Sequence, residues 1–496
     1  MTNVAEEVTR LERGIRRWPL RRLAAAAGLA LCGLWIAACG GKSSSSASGA
    51  SSASSSTTSS SAAATPSNAI RIGILSDCAG DFGAWYNSDI GGAQAYFIAH
   101  NGAKPNGPVP SNGITGGTIA GHPIKIVGYG CADDTAAKAL SEVRRLVEAD
   151  KAQIVIGPLS GDEGIAVANY SKTQPGLTFI NGTSGAQDTT LKVRSPNFYR
   201  FNGDGAQWSA GVGDVAYRKL GWRHAVVIMD DYAFGWTSAA GFIADFCADG
   251  GTVTRIYPPL GTTDYSSYIS QIPQKFDGLF SAVGGTGTLD FLKQYTQSRG
   301  AFKKNTLAGN IFLGDPAVLA AVHAADVGAL VGQPTNEDTS SANAAAYISA
   351  LKQAYPAPTT SLPKPGTLAG LASSVFTVNY YMAAWALDKA LTAVHGDLSN
   401  GQAALHAALA KTTLPDAPYG PVTLDQNRQA IVDNYIADVT TTGGTPGIHT
   451  IYTVPGVTQA FGGTFTPTTP SPGRGQPVCQ KRALPWQGKE QSISVH

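Results

Sequence analysis

Ile154-Val155-Ile156-Gly157-Pro158-Leu159-Ser160-Gly161-Asp162-Glu163 is a short β-branched run, broken by Gly-Pro and reopened by Ser-Gly-Asp-Glu. That order of residue types predicts a buried strand, a tight turn and the start of a helix. The same pattern recurs along the chain. Apolar runs suited to strands lie at Ile70–Leu75, Ile124–Tyr129, Ile154–Ile156, Leu177–Ile180, Ala225–Met229, Val253–Ile256, Gly278–Ala282 and Leu307–Ala308. Helical periodicity fills the intervals at Asp89–His100, Thr135–Ala149, Asp162–Thr173, Trp208–Leu220, Gly235–Asp249, Tyr265–Ile272 and Gly287–Arg299. Such alternation implies parallel sheets with helices on both faces. It occurs as two series, the second opening at Trp222-Arg223-His224-Ala225 after a non-helical stretch from Ser195 to Gly205, so the chain is expected to build two α/β domains.

The second series is followed by helical segments at Ser341–Ala354, Leu368–Val394 and Ala403–Leu409, then by a strand-rich end from Pro421 to Val454. A simple tandem does not produce that order; a chain that crosses between domains three times does. In an open α/β sheet, ligands bind outside the carboxyl ends of strands, where turns lead into helix N-termini with unpaired N–H groups. The turn Gly157–Glu163 has these properties: its glycines allow close backbone approach, Ser160 can donate or accept, and Asp162 is placed to cap the following helix. Ser160 and Gly161 are therefore ligand-contact candidates, with plain helix capping as the alternative. Asn181-Gly182-Thr183-Ser184-Gly185 and Gly284-Gly285-Thr286-Gly287 are further small polar loops at strand ends, the latter able to supply Thr286; Asp290 breaks its match to a dinucleotide-binding GxGxxG.

Taken in order, Arg71-Ile72-Gly73-Ile74-Leu75 with Gly80, Trp85 and Gly91-Gly92-Ala93, then Ile154-Val155-Ile156-Gly157-Pro158, Ile180-Asn181-Gly182-Thr183-Ser184, Asp230-Asp231-Tyr232-Ala233-Phe234-Gly235 and Gly420-Pro421-Val422-Thr423-Leu424-Asp425 resemble the periplasmic binding proteins of the leucine/isoleucine/valine type. The resemblance runs from Ile70 to about Val439. It implies the type I architecture: two Rossmann-like three-layer α/β/α domains joined by three crossover strands, here residues 69–201 plus 334–420 and 202–333 plus 421–496. The hinges then lie near Phe201-Asn202, Gly332-Gln333 and Tyr419-Gly420. The family's pattern puts Trp85 over the ligand's apolar part, a backbone group and a hydroxyl from Thr183 and Ser184 on its carboxylate, and Tyr232 and Phe234 as closing aromatics with Asp231 beside them. The implied activity is ligand capture by cleft closure and delivery to an ABC permease with its ATPase subunits, without a cofactor or metal. One departure bears on the ligand. Amino-acid binders of the family hold the ammonium group with an acid in the loop that reads Gly309-Asn310-Ile311-Phe312-Leu313-Gly314 here, so either Asp231 or Asp315 replaces it or the ligand is an amide, an aromatic acid or another carboxylate.

Ahead of the domains, Arg16, Arg17, Arg21 and Arg22 precede an Ala-rich run, Leu23–Ala38, too short to span a bilayer comfortably. It ends in Ile36-Ala37-Ala38-Cys39-Gly40, which resembles a bacterial lipoprotein signal; that implies a cleaved segment 1–38, lipidation of Cys39 and residence at the outer face of the cytoplasmic membrane. Residues 39–68 are dominated by Ser, Ala, Thr and Gly, a tether with a random-coil reach of roughly 25–30 Å. Setting aside Cys32 in the signal and Cys39, four cysteines remain, and three pairings are open. Cys78 and Cys131 end candidate neighbouring parallel strands, which favours pairing them, and elimination then pairs Cys247 with Cys479. No CxxC or HxxxH spacing suggests a metal.

The chain carries 36 Lys and Arg against 34 Asp and Glu; beyond residue 38 the balance is 30 to 31. No clustered basic surface points to nucleic acid. A tethered enzyme is the competing class, but GxSxG, HExxH and a phosphate loop are missing and the eight His are scattered. A ligand-binding sensor subunit would share every feature of the binding-protein reading.

Overall fold

The computed structural model describes residues 68–322, 325–336, 341–356, 371 and 373–492. The signal segment, Cys39 and all of the tether but Asn68 lie outside the described residues. Strands β1 (Ile70–Asp77), β2 (His122–Ala132), β3 (Ile154–Ile156), β4 (Thr178–Ile180) and β5 (Phe198–Tyr199) form a first sheet in the order 2-1-3-4-5, parallel throughout, with the short strand Thr118–Ile119 antiparallel on the β2 edge. A second sheet repeats the order with β6 (His224–Met229), β7 (Thr252–Ile256), β8 (Gly278–Ala282), β9 (Leu307–Gly309) and β10 (Leu330–Gln333), arranged 7-6-8-9-10. It is extended by β11 (Ala430–Thr442) and β12 (Thr445–Val457), both antiparallel to their neighbours. The long antiparallel pair accounts for the strand-rich end of the sequence.

The central parallel strands are apolar on both faces because helices cover both. In β1, Ile70, Ile72 and Ile74 face α1 (Tyr86–Asn101) and α10 (Val375–Ala393), while Leu75 with Val155 and Phe179 faces α2 (Ala136–Arg144) and α3 (Gly161–Ser171). The second sheet divides likewise. Ala225, Val227 and Met229 pack on α4 (Val212–Arg218) and α5 (Ala233–Ala248), and Val226 and Ile228 on α6 (Ser266–Ser270) and α7 (Gly287–Arg299). The remaining α-helices among the described residues are the short turn Asp188–Leu191 in the β4–β5 connection, α8 (Pro316–Val322), α9 (Ala342–Ala354) and α11 (Ser399–Leu409). Ser374 caps α10 through its hydroxyl, so this helix starts later than Leu368. Gly211, left-handed at φ 84°, holds the start of α4 at Val212, behind the expected Trp208.

The chain passes between the sheets after β5, after β10 and ahead of β11. Arg200 and Gln429 pair as an isolated parallel bridge between two of these passages. Arg200 is fully buried, and its guanidinium donates to the carbonyls of Ser184 (3.1 Å) and Ala186 (2.8 Å), to Thr190 Oγ1 (2.7 Å) and to Gln429 Oε1. Asp204 at 3.8 Å balances its charge. Cys78 is bonded to Cys131 and Cys247 to Cys479, with Cα separations of 5.0 and 5.2 Å. The described residues form one compact unit, so the two sheets with their helices are lobes of a single body. Among the described residues no helix is long and apolar enough to cross a membrane.

Candidate functional site

The 2-1-3-4-5 order reverses direction between its first and third strands, and a crevice opens at that switch point beyond their carboxyl ends. Here the two switch points face each other: the loops after β1 and β3 meet those after β6 and β8. The β3 loop needs glycine twice. Gly157 has φ 130° and lies so close to β1 that a β-carbon would meet Leu75 O at 2.1 Å. A β-carbon on Gly161 would stand 2.6 Å from the amide nitrogen of Phe234, across the lobe boundary.

Ser160 is the N-cap residue of α3, yet its hydroxyl makes no capping bond; Oγ is buried and has no hydrogen-bond partner in the protein. Asp162, expected to cap its own helix, accepts instead from Ala233 N at 3.3 Å, the first residue of α5 in the second lobe. A carboxylate at that N-terminus complements the helix dipole.

Aromatic side chains fill the space between the loops. Trp85, 1% exposed, sits 5.4 Å from Phe312 and 5.1 Å from Phe376, and Phe82 lies 5.6 Å from Phe312 and 6.1 Å from Tyr232. Phe234 completes the group against Trp208 and Phe312. The remaining crevice is lined by these rings apart from Trp85, with Leu159, Ser160, Gly161, Thr183, Gly185 and Ile311, and its volume of ≈ 10 Å³ would hold about one water. No Lys, Arg, His, Asp or Glu lines it. Anything larger than a water enters only when the lobes part.

Of the candidates read from the sequence, Ser160, Gly161, Thr183, Tyr232 and Phe234 line this crevice, and Trp85 forms the wall behind it. Thr183 Oγ1 approaches Asp89 Oδ1 and Phe376 O at 3.5 Å each, long for hydroxyl bonds. Ser184 lies one step deeper. Its unpartnered hydroxyl is pressed against α3, where a β-carbon on Gly164 would lie 2.0 Å from it. Two candidates face elsewhere. Asp231 turns outward to Arg474 and accepts from Trp236 Nε1 at 3.0 Å, its carboxyl held below the usual range chiefly by the Arg474 hydrogen bond. Thr286 donates to Asp81 Oδ1 at 2.6 Å and its amide to Asp81 O at 3.1 Å, which makes it a contact between the lobes.

Phe82, Trp208, Ile311, Phe312 and Phe376 were not singled out in the sequence, because an isolated apolar residue there cannot be told from core. The available signal was position. Phe82 and Phe312 follow strands of the two sheets, as Trp85 and Phe234 do. Asp315 lies beside the rings: Oδ1 accepts from Ala317 N (2.9 Å) and Trp85 Nε1 (3.4 Å), Oδ2 has no partner, and burial pushes its pKa up to about 6.

Behind the crevice lies a group of buried acids. Asp77 at the end of β1 faces Glu163 on α3, and burial, with the charge of Glu163 adding to it, raises the Asp77 carboxyl well above its usual range. Burial pushes Glu163 up to about 8 and, with the neighbouring Asp77 adding to burial, Asp134 up to about 9. Asp230, closing β6, is buried and raised too, while its Oδ2 accepts from Gly284 N at 2.7 Å. Among the described residues no three His, Cys, Asp or Glu are placed to hold a metal ion.

The fold has counterparts in solved structures. The fold is similar to an ABC transporter solute binding protein from R. palustris in complex with benzoate, at 24% identity over 77% of this chain and 96% of that one, with TM-score 0.65. A related protein from Rhodopseudomonas palustris HaA2 in complex with p-hydroxybenzoic acid matches at 19% identity over 79% and 98%, TM-score 0.65. A leucine binding protein from Thermotoga maritima matches at 17% over 78% and 99%, TM-score 0.63. The search of curated sequences returns no match. The profile of the family described as "Periplasmic binding protein" matches residues 69–445, all of both parallel sheets and the three passages between them, and by that match the chain belongs to the periplasmic binding proteins.

Proposed function

We propose that this protein is a lipid-anchored extracytoplasmic receptor that closes on a small carboxylate with a flat apolar body and presents it to an ABC permease. The observation that carries this reading is the crevice itself. Six aromatic rings from both lobes surround the unpartnered Ser160 hydroxyl, and no ionised side chain lines the space. Aromatic walls favour a planar apolar group by offset or edge contacts, and hydroxyl and helix N-terminal N–H groups favour an anion. Several relatives of this fold were solved with benzoates, which is consistent with that chemistry. Capture needs only rotation about the three passages, which parts Gly161 from Phe234 and Asp81 from Thr286. In this reading the lobes comprise 69–201 plus 334–420 and 202–333 plus 421–496, Thr183 and Ser160 meet the carboxylate, and Trp85, Tyr232 and Phe234 clasp the ring.

The free Oδ2 of Asp315 favours a second reading, an amino acid whose ammonium group pairs with it after Trp85 shifts. Thermal unfolding of the mature protein with benzoate, 4-hydroxybenzoate, leucine and isoleucine separates the two. At a hundredfold excess over Kd a true ligand adds about 2.7 kcal/mol of stability. Stabilisation by leucine but not the benzoates would establish the second reading; no stabilisation by any of the four, with Trp85→Ala behaving as the parent, would sink the ring-clasp site. Anchoring is tested by Cys39→Ala, which should release the protein from the membrane and abolish its labelling by palmitate.

A further inference from the structure

The family profile ends at residue 445, and the chain then continues past β12 as a segment that returns over the second lobe. Phe461, Phe465, Leu484 and Trp486 join the core around α5, and Cys479 is bonded to Cys247 on that helix. Between these anchors the segment reaches the back of the ligand-facing loop. The Arg474 guanidinium grips the Asp231 carboxylate, with Nε 3.0 Å from both oxygens and Nη2 on Oδ2, and lies 5.5 Å over the Tyr257 ring. Gly475 N donates to Tyr257 Oη at 3.1 Å, and Arg255 donates to Pro477 O. Asp231 is the residue before Tyr232 in the crevice wall, and it also fixes Trp236 one turn into α5. The same segment touches the β4–β5 connection of the first lobe: Lys192 Nζ donates to Thr469 O at 2.6 Å, and Ser471 Oγ donates to Asp188 Oδ2. Only Pro472 and Gly473 therefore separate the nearer contact on the first lobe, Ser471, from the grip on the second.

We propose that Arg474 is a positioning residue of the ligand crevice, acting through Asp231 on the Tyr232–Phe234 loop, and that Thr469–Arg474 is a strap holding this loop to the β4–β5 connection when the lobes are closed. The proposal rests on the crevice being the ligand site. A bidentate guanidinium–carboxylate pair fixes direction as well as distance, which a lysine in the same place does not. Gln187 N also donates to Thr237 Oγ1 at 3.2 Å, Gln459 Nε2 donates to Gln187 O at 3.2 Å, and Leu191 packs in the second-lobe core, so the β4–β5 connection is tied to the second lobe at several points and the strap adds one more contact that parting of the lobes must break, which slows escape of the bound molecule.

The test measures amide hydrogen exchange in 187–192 and 231–236, and the dissociation rate of 4-hydroxybenzoate, for the parent, Arg474→Ala, Arg474→Lys, Asp231→Asn and the double variant Arg474→Ala/Asp231→Asn. Arg474→Ala should speed exchange in both segments and ligand release about three- to fivefold, the scale of a well-oriented surface pair. Asp231→Asn should do the same, the double variant no more, and Arg474→Lys should recover only part. Exchange in β6 and β8 should stay unchanged, which distinguishes positioning from general destabilisation. Unchanged exchange in both segments for Arg474→Ala, or effects that add in the double variant, would overturn the strap. If the parent fails to bind 4-hydroxybenzoate while exchange responds as stated, the strap stands and the ligand assignment falls.

Discussion

A methyl group on Gly161 would collide with the backbone of Phe234, an atom that cannot swing aside as a side chain can. Gly161→Ala should therefore leave each lobe intact and hinder only their approach. The expected result is ligand affinity lowered by roughly tenfold or more, about 1.4 kcal/mol, with an unfolding midpoint near the parent's; calorimetric titration beside a thermal melt reads both. An unchanged affinity would mean that closure does not bring these loops together. At this scale the sequence disclosed where the site residues lie along the chain but not where they point. Ser160, Gly161 and Phe234 were legible because a strand-end turn has few ways to run. Asp231 was not, since its partner Arg474 is 243 positions away, and Thr286 meets Asp81 from 205 positions away.

At the scale of elements, apolar β-branched runs were the most legible. Strands β1 and β6 announce themselves as apolar, β-branched runs with nearly every side chain buried, whereas β5, two residues long, carries too little pattern for any period to show. What no pattern carries is an element completed by its neighbour, as α5 is by Asp162. Asp162→Ala removes a cap from α5, an interaction worth about 0.5–2 kcal/mol, and only in the closed arrangement. Affinity should fall by the matching factor, roughly two- to thirtyfold; Asp162→Asn, an equally good cap, should restore most of it. Equal losses in both variants would show that the carboxylate acts other than as a cap. The bond between Cys247 on α5 and Cys479 in the C-terminal segment is a second such completion. Cys479→Ser should reduce stability by about 2–5 kcal/mol in urea unfolding of the oxidised protein, and a loss indistinguishable from zero would mean the segment stays docked unaided.

For the molecule as a whole, the buried acids set the response to pH. Asp134 and Glu163 titrate near 9 and 8 in the folded protein, and Asp77, Asp89 and Asp230 are raised as well, burial being the largest cause in each. The unfolded chain releases the same protons near their ordinary values, 3.8 and 4.5. Their contribution to stability is thus complete below about pH 4 and is lost as pH rises through about 8–9. The melting temperature should fall between pH 5 and pH 9, and Glu163→Gln should flatten that slope; a melting temperature that rises over this interval would contradict the raised titration of these acids. The two-domain plan was legible at this scale because the order of elements returns to each sheet. The acid group was not, because its members come from β1, α1, the β2–α2 connection, α3 and the turn after β6, and nothing short of folding gathers them.

The bond from Cys247 to Cys479 also decides what a single cut can do. The chain between these residues passes from the second lobe to the first and back, so a protease that nicks any loop from 248 to 478 leaves both pieces covalently joined. Such damage would go unseen on a non-reducing gel and appear as two fragments once the disulfide is reduced. A protein built this way keeps its two lobes together after a cut that would sever an unbridged one.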